Sequence, residues 1–520
     1  MHSAYETAIS QVSQPVSDTS TQSFLLSALA ADPAHHPERS NATLARVTEV
    51  IEIVCNGNGD SGSLAATCVA AAGEEHGLLD PISKTAAAAV GAAMLKGLAN
   101  DQLETAIELL WQSELSTDEV VALHKKYKIP VSHLEDDLLP VKGDGALIYD
   151  SKGQKYIDLD SNCSATNLGN ANPEIALGLF NQASVLVSQK EDRIQVARAR
   201  FLKEFHGFLP ESLQCFYWQN SGGEAVDKSL KIAKAYTGHT GVIAFEGGFH
   251  GRTHGAVAVT HNPAYRTPFG LDDVPWVHFA KFGDLDAVRT MLEEGVAKTV
   301  ILELVQGEEA GIRSAGSEFA LGLRALCDQH EAVLIVDEVQ TGFGRVADGP
   351  QTWFASQLFG ITPDIMAIGK SFGGGYPVTA VVTTPVISAA MRGGYDGSTF
   401  GGNPMAMTAA LIATRQMKKL QLPAIAAARA VQFAAGLATI SSPLIGEIRV
   451  IGLMIGIDLP SKEVVADVQK NMMQLGVHSS LSTGSTLRWM PPLVITEDQV
   501  DTVVSMFEKA LKQVDGDLGS

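Results

Sequence analysis

A lysine and an aspartate that each close an apolar run carry the chemistry legible in this chain. Lys370 follows the run in PDIMAIGKSFGGGYP, and Asp337 ends AVLIV within LIVDEVQTGFGR, 33 residues earlier. A lysine at a buried strand end sheds its proton through desolvation, and the neutral amine attacks a carbonyl. A carboxylate in such a place is costly unless a cation or hydrogen-bond donors meet it, and a protonated pyridine nitrogen is one such cation. A ring held protonated is an electron sink, so the two residues together predict a covalently held, electron-accepting cofactor. Each alone has a plainer explanation: a solvent-facing lysine after a strand, or an aspartate capping the next turn.

A third candidate is the turn Asn220-Ser221-Gly222-Gly223-Glu224-Ala225, which joins the run QCFYW to the helical pattern AVDKSLKIAKAY. Gly222 and Gly223 let backbone amides approach an anion at a helix start, where the dipole adds attraction. The glycine spacing matches neither a dinucleotide fingerprint nor a Walker loop.

The elements that must position these groups follow from periodicity. After about residue 140, short β-rich runs alternate with amphipathic stretches, the pattern of an α/β fold around a mostly parallel sheet. The strand candidates are QCFYW (214–218), GVIAF (241–245), TVILEL (299–304), AVLIVD (332–337), DIMAIG (364–369) and VTAVVT (378–383). Residues 225–236 and 317–329 have the length of crossover helices. Upstream, residues 1–20 are rich in Ser, Thr and Gln and are expected to be disordered, and 21–130 are expected to form a separate helical domain or a helical decoration on the main body. Within it, Ser116 and Glu119 have the spacing of a capping box ahead of the helical pattern in STDEVVALHKKY.

Composition narrows the function classes. The chain has 520 residues, 45% of them apolar and 18% charged, as expected of a folded protein with a large core. A net charge of −20 makes nucleic acid and anionic membrane poor partners. Cys55, Cys68, Cys163, Cys215 and Cys327 are odd in number and contain no CxxC pair, which argues against a disulfide framework and a structural metal site and fits a cytoplasmic location. The longest apolar run, Thr85 to Leu95, is too short to span a bilayer.

Taken in order, NSGGEAVDKSLKIAK, FHGRTHGAVAVT, ELVQGEEAG, LIVDEVQTGFGR, PDIMAIGKSFGGGYP, STFGGNPMA, IGLMIGIDL and LRWMPPLVIT resemble the class III, ornithine-aminotransferase-like family of pyridoxal-phosphate enzymes over residues 140–515. The resemblance implies fold type I, with a small domain built from 131–185 and 406–520 around a large cofactor-binding domain, 186–405. It implies that Lys370 forms the internal aldimine and shuttles the proton, that Asp337 meets the pyridine nitrogen, and that Gln340 lies near the ring oxygen. Gly222 and Gly223 would cradle the phosphate, Phe249 would stack on the ring, and Thr399 would reach the phosphate of a neighbouring subunit, making a homodimer. Arg488 would take a substrate carboxylate, with Glu308 as its releasable partner and Arg252 holding a second carboxylate or shaping that end.

Three departures from the family pattern stand out, the first bearing on packing more than chemistry and the other two on substrate. Asn167-Leu168-Gly169-Asn170-Ala171-Asn172-Pro173 replaces a paired-histidine motif, Cys163 stands near the position of a tyrosine in the ornithine enzymes, and Glu308-Glu309 offers two candidate gates. The expected activity is transfer of an amino group, from a terminal ω-amine, to an oxo acid such as 2-oxoglutarate. The alternatives are a glutamate-1-semialdehyde-type aminomutase, an amino-acid racemase, or a subunit whose substrate is tethered to a carrier or protein partner docked on the N-terminal region.

Overall fold

The computed structural model describes residues 115–132, 138–183, 185–480 and 484–518. The tail 1–20, nearly all of the helical region 21–130 and the run Thr85 to Leu95 lie outside them. The chain divides into two compact units, one of residues 1–144 and 148–155, the other of 145–147 and 156–520.

In the first unit the capping box is present at the start of the helix Thr117–Tyr127. Ser116 Oγ accepts from the Glu119 amide at 3.3 Å, and the Glu119 carboxylate accepts from the Ser116 amide at 2.9 Å. Two of the four orphan donors of the helix start are thereby satisfied.

The second unit is built on a seven-stranded sheet in the order Cys215–Gln219, Thr379–Thr383, Ile365–Ile368, Val333–Asp337, Thr299–Leu302, Val242–Phe245, Val277–Ala280. All pairings are parallel except those of Thr379–Thr383, which runs against both neighbours. The six strands expected from the sequence are all present. The seventh, Val277–Ala280, is a half-buried edge strand whose four residues, VHFA, give too short a pattern to read. Its inner neighbours are buried along their whole length, which is why they read as unbroken apolar runs.

Side chains of one strand alternate between two cores. Val333 and Ile335 pack with Ala225, Val226 and Leu230 of the helix Gly222–Thr237, whereas Leu334 and Val336 pack with Phe319, Leu323 and Leu326 of the helix Ser317–Gln329. The period of two thus seats one layer of helices on each face.

The unit also holds a three-stranded antiparallel sheet, Ile448–Ile451, Met454–Asp458 and Thr486–Trp489. Trp489 anchors it, 5.0 Å from the ring of Phe507 and 6.1 Å from that of Phe433.

Candidate active site

The parallel strands end along one edge of the sheet, where an open α/β sheet places its ligand crevice. Asp337 is the last residue of its strand and pairs in register with Ala367, three residues before Lys370. Lys370 opens a short 3-10 turn, Lys370–Gly373, with φ of 48°. Val339 is pressed between this turn and the start of the helix Gly222–Thr237: a Cβ added at Gly222 would stand 3.0 Å from Val339 Cγ1, and one at Gly369 3.2 Å from it. The strand ends carrying Gly222, Asp337 and Lys370 are therefore in direct contact.

The capping box of that helix uses Ser221 and Glu224, whose carboxylate accepts from the Asn220 and Ser221 amides at 2.9 Å each. The cap takes the amides of Asn220, Ser221 and Glu224, and those of Gly222 and Gly223 are not among them. A Cβ at Gly223 would come within 2.9 Å of Thr253 Oγ1, a buried hydroxyl with no partner among the described residues.

Asp337 is buried and its Oδ2 lies 2.9 Å from His250 Nδ1, while its Oδ1 accepts from the Val339 amide at 3.1 Å. Beside them sits Glu303, whose Oε2 accepts from the Phe249 amide at 2.8 Å. Burial pushes the Glu303 carboxyl up to about 7, with His250 acting against that shift and Asp337 adding to it. His250 and Glu303 were missed in the sequence. Glu303 had a signal, a carboxylate set inside the apolar run TVILELV.

Burial likewise lowers the pKa of Lys370, so its neutral amine becomes more available. The thiol of Cys163 is raised by burial and by Asp160, with Lys370 and Arg488 acting in the opposite sense. Cys163 lies in a turn whose four residues, Ser161, Asn162, Cys163 and Ser164, have φ of 46°, 50°, 55° and 78°. Four consecutive left-handed residues without glycine cost on the order of 1 kcal/mol each. The turn is tied to the site: Gln340 Nε2 donates to Cys163 O at 3.5 Å, Ser164 Oγ to Gln340 O at 3.1 Å, and Ser371 Oγ to Ser164 O at 2.5 Å.

Arg488, brought by the small sheet, is 4% exposed. Its Nη1 donates to Glu308 Oε2 at 2.5 Å and to Gly307 O at 3.1 Å, and its Nη2 donates to Ser480 Oγ at 3.3 Å and lies 3.9 Å from Cys163 Sγ. Burial alone would raise the pKa of Glu308 and lower that of Arg488; their pairing overrides it in both. The second glutamate, Glu309, is held elsewhere, by Asn262 Nδ2 at 2.7 Å and the Tyr265 hydroxyl at 2.6 Å. Arg252 is exposed, with its guanidinium 3.7 Å from the Tyr265 ring centre and 5.3 Å from that of Phe249.

Thr399 stands apart. It is exposed, on a segment whose neighbour Ser398 accepts from the Glu191 amide at 3.3 Å. In the motif that replaces the paired histidines, Asn172 Oδ1 caps the helix Pro173–Ala183 by accepting from the Glu174 and Ile175 amides at 3.1 and 3.2 Å.

Comparison with known proteins gives the family. The family model for class III aminotransferases matches residues 130–511. The chain is 36% identical over 403 residues to a LysW-aminoadipate semialdehyde transaminase of Deinococcus radiodurans, covering 77% of this chain and 92% of that one. It is 35% identical over 399 residues to an acetylornithine aminotransferase of Methanosarcina mazei, covering 76% and 97%. Among solved structures, ornithine aminotransferase from Toxoplasma gondii superposes with a TM-score of 0.73 at 25% identity, covering 78% and 97%. The chain belongs to the class III aminotransferases, with the fold type I architecture and a pyridoxal-phosphate cofactor. The residues present fit that group. Gly222 and Gly223 open a helix, the buried Thr253 Oγ1 and Gln340 Oε1 lack partners among the described residues, and burial shifts the Lys370 amine toward its neutral form.

Proposed function

We propose that this class III aminotransferase moves a terminal amine from an ω-amino substrate to a dicarboxylate oxo acid such as 2-oxoglutarate. The observation that carries this reading is the ion pair of Arg488 and Glu308. A buried guanidinium would be costly unpaired, yet Glu308 keeps 25% of its side chain exposed and has room to withdraw. A substrate without a carboxylate at that end leaves the pair closed; a dicarboxylate displaces Glu308 and takes the bidentate fork of Arg488. The names of the relatives support a terminal amine, since a transaminase named for a semialdehyde exchanges an aldehyde for an amine at a chain end.

Lys370 would hold the cofactor and carry the proton, its neutral amine taking the proton from the carbon that bears the nitrogen and returning it to the carbon on the far side of that nitrogen. Asp337 would face the pyridine nitrogen, Gln340 the ring oxygen, Phe249 the ring face, and Gly222 with Gly223 the phosphate. When bound, the cofactor supplies the carbonyl and the electron-withdrawing ring. Arg488 fixes the substrate so that the reacting carbon lies beside Lys370, which removes much of the entropic barrier. Arg252, exposed and stacked on Tyr265, would meet a second carboxylate.

The working unit in this reading is a homodimer. Val185, Val187, Ile194, Val196, Tyr395 and Phe400 are all more than half exposed, and they lie on the two segments that meet at Glu191 and Ser398, next to Thr399. Burying that surface in a second copy would carry Thr399 toward the phosphate of its partner.

The test is an absorbance scan of the purified protein during addition of a panel of ω-amines, followed by 2-oxoglutarate. Bleaching of the visible band by an ω-amine, and its return with the oxo acid, is the expected result. A band that responds to amines but is not restored by any dicarboxylate would reject the acceptor.

A further inference from the structure

The side chain of Arg345 is wholly buried and forms no ion pair among the described residues. Its donors go instead to neutral acceptors on three separate segments. Nε donates to Ser164 Oγ at 2.8 Å; Nη2 donates to Ser161 Oγ at 3.2 Å and to Asn167 Oδ1 at 2.5 Å; Nη1 donates to Leu453 O at 3.1 Å and to Pro491 O at 2.6 Å. A cation in the core without a carboxylate is a poor contributor to stability, and apolar replacements of similar volume often fold as well or better. Its place in the core calls for another account.

Two of those bonds fall on the first and last residues of the left-handed turn Ser161–Ser164, and Ser161 Oγ also donates to Met490 O at 2.5 Å. The third segment, at Pro491, continues the strand of Arg488. One guanidinium therefore spans the turn that carries Cys163 and the strand end that carries Arg488, and Cys163 Sγ and Arg488 Nη2 meet at 3.9 Å. Burial pulls Arg345 down to about 9, with Asp158 and Asp160 acting against that shift.

We propose that Arg345 is a positioning residue for transamination: it holds the turn Ser161–Ser164 in its left-handed form, setting Cys163 against Arg488 and fixing the shape of the carboxylate-binding end. This rests on the reading of Arg488 as the carboxylate arm. Lysine cannot replace it, because a single ammonium does not present a planar fork to three segments.

The experiment uses full-length Arg345→Lys and Arg345→Met proteins, with two readouts. The first is the maleimide labelling rate of Cys163 without cofactor, resolved by peptide mass spectrometry, with the fully buried Cys327 as internal control. The second is the KM for 2-oxoglutarate set against kcat. Release of the turn should speed Cys163 labelling about tenfold, leave Cys327 unlabelled, and raise KM about tenfold with kcat within about threefold, a KM effect near 1.4 kcal/mol. Unchanged labelling and KM in both variants would overturn the proposal, as would Cys163 and Cys327 becoming reactive in step, which marks general loosening. Faster Cys163 labelling with an unaltered KM would uphold the hold on the turn and overturn Arg488 as the acceptor arm.

Discussion

His250 Nδ1 and Asp337 Oδ2 stand 2.9 Å apart with both side chains buried, so the carboxylate at the floor of the site has a fixed partner before any ligand arrives. The imidazole occupies one oxygen and orients the other, which the Val339 amide also meets. Asp337→Asn should preserve the fold and cofactor content while lowering turnover by about 10²–10³-fold, the size of losing one charge-stabilising group. Turnover per bound cofactor is the quantity to measure, and near-wild-type values would remove Asp337 from its role.

Arg488→Ala should raise the KM for 2-oxoglutarate by about a hundredfold, since a hydrogen bond to a charged group is worth about 1.5–3 kcal/mol. Uncharged aldehyde acceptors should change little. Equal effects on both acceptor types would reject the carboxylate clamp.

Glu303 links pH to stability. Its carboxyl titrates near 7 in the folded chain against an ordinary 4.5, so the folded state binds the proton more tightly. The stability this gives is fully present below about 4.5 and is lost as pH rises through about 7, a swing on the order of 3 kcal/mol. Cofactor-free wild type should therefore lose more thermal stability between those pH values than Glu303→Gln does. Parallel melting profiles for the two proteins would contradict the shift.

Mixing Lys370→Ala protein with Thr399→Ala protein, each poorly active alone, should restore measurable turnover, because one hybrid site then carries both intact residues. Absence of recovery after subunit exchange has been verified by mass spectrometry would place Thr399 outside the shared site.

The parallel strands were legible because burial on both faces leaves unbroken apolar runs, and Lys370 and Asp337 were legible because they interrupt such runs at the end. Helix signals of the same local kind, the Ser116–Glu119 box and the span 317–329, also match the structure. Val277–Ala280 was not legible, since an edge strand buried on one side leaves only a four-residue pattern. Nor was the choice between Glu308 and Glu309, which depends on Arg488 some 180 residues away and on Tyr265 and Asn262 taking up the other carboxylate. The left-handed turn at 161–164 contains no glycine to announce it; its shape is held by bonds from distant residues.

The site draws Gly222, His250, Glu303, Asp337 and Lys370 from five different strand ends, and Arg488 from a separate sheet. No contiguous fragment contains more than part of it, and its parallel pairings close long loops that form slowly. A cofactor that needs all of these residues would bind only after the pairings form, so a bound cofactor would mark a chain whose sheet is complete. Because a ligand that binds only the native state deepens that state by mass action, saturating cofactor would stabilise the full-length protein against unfolding.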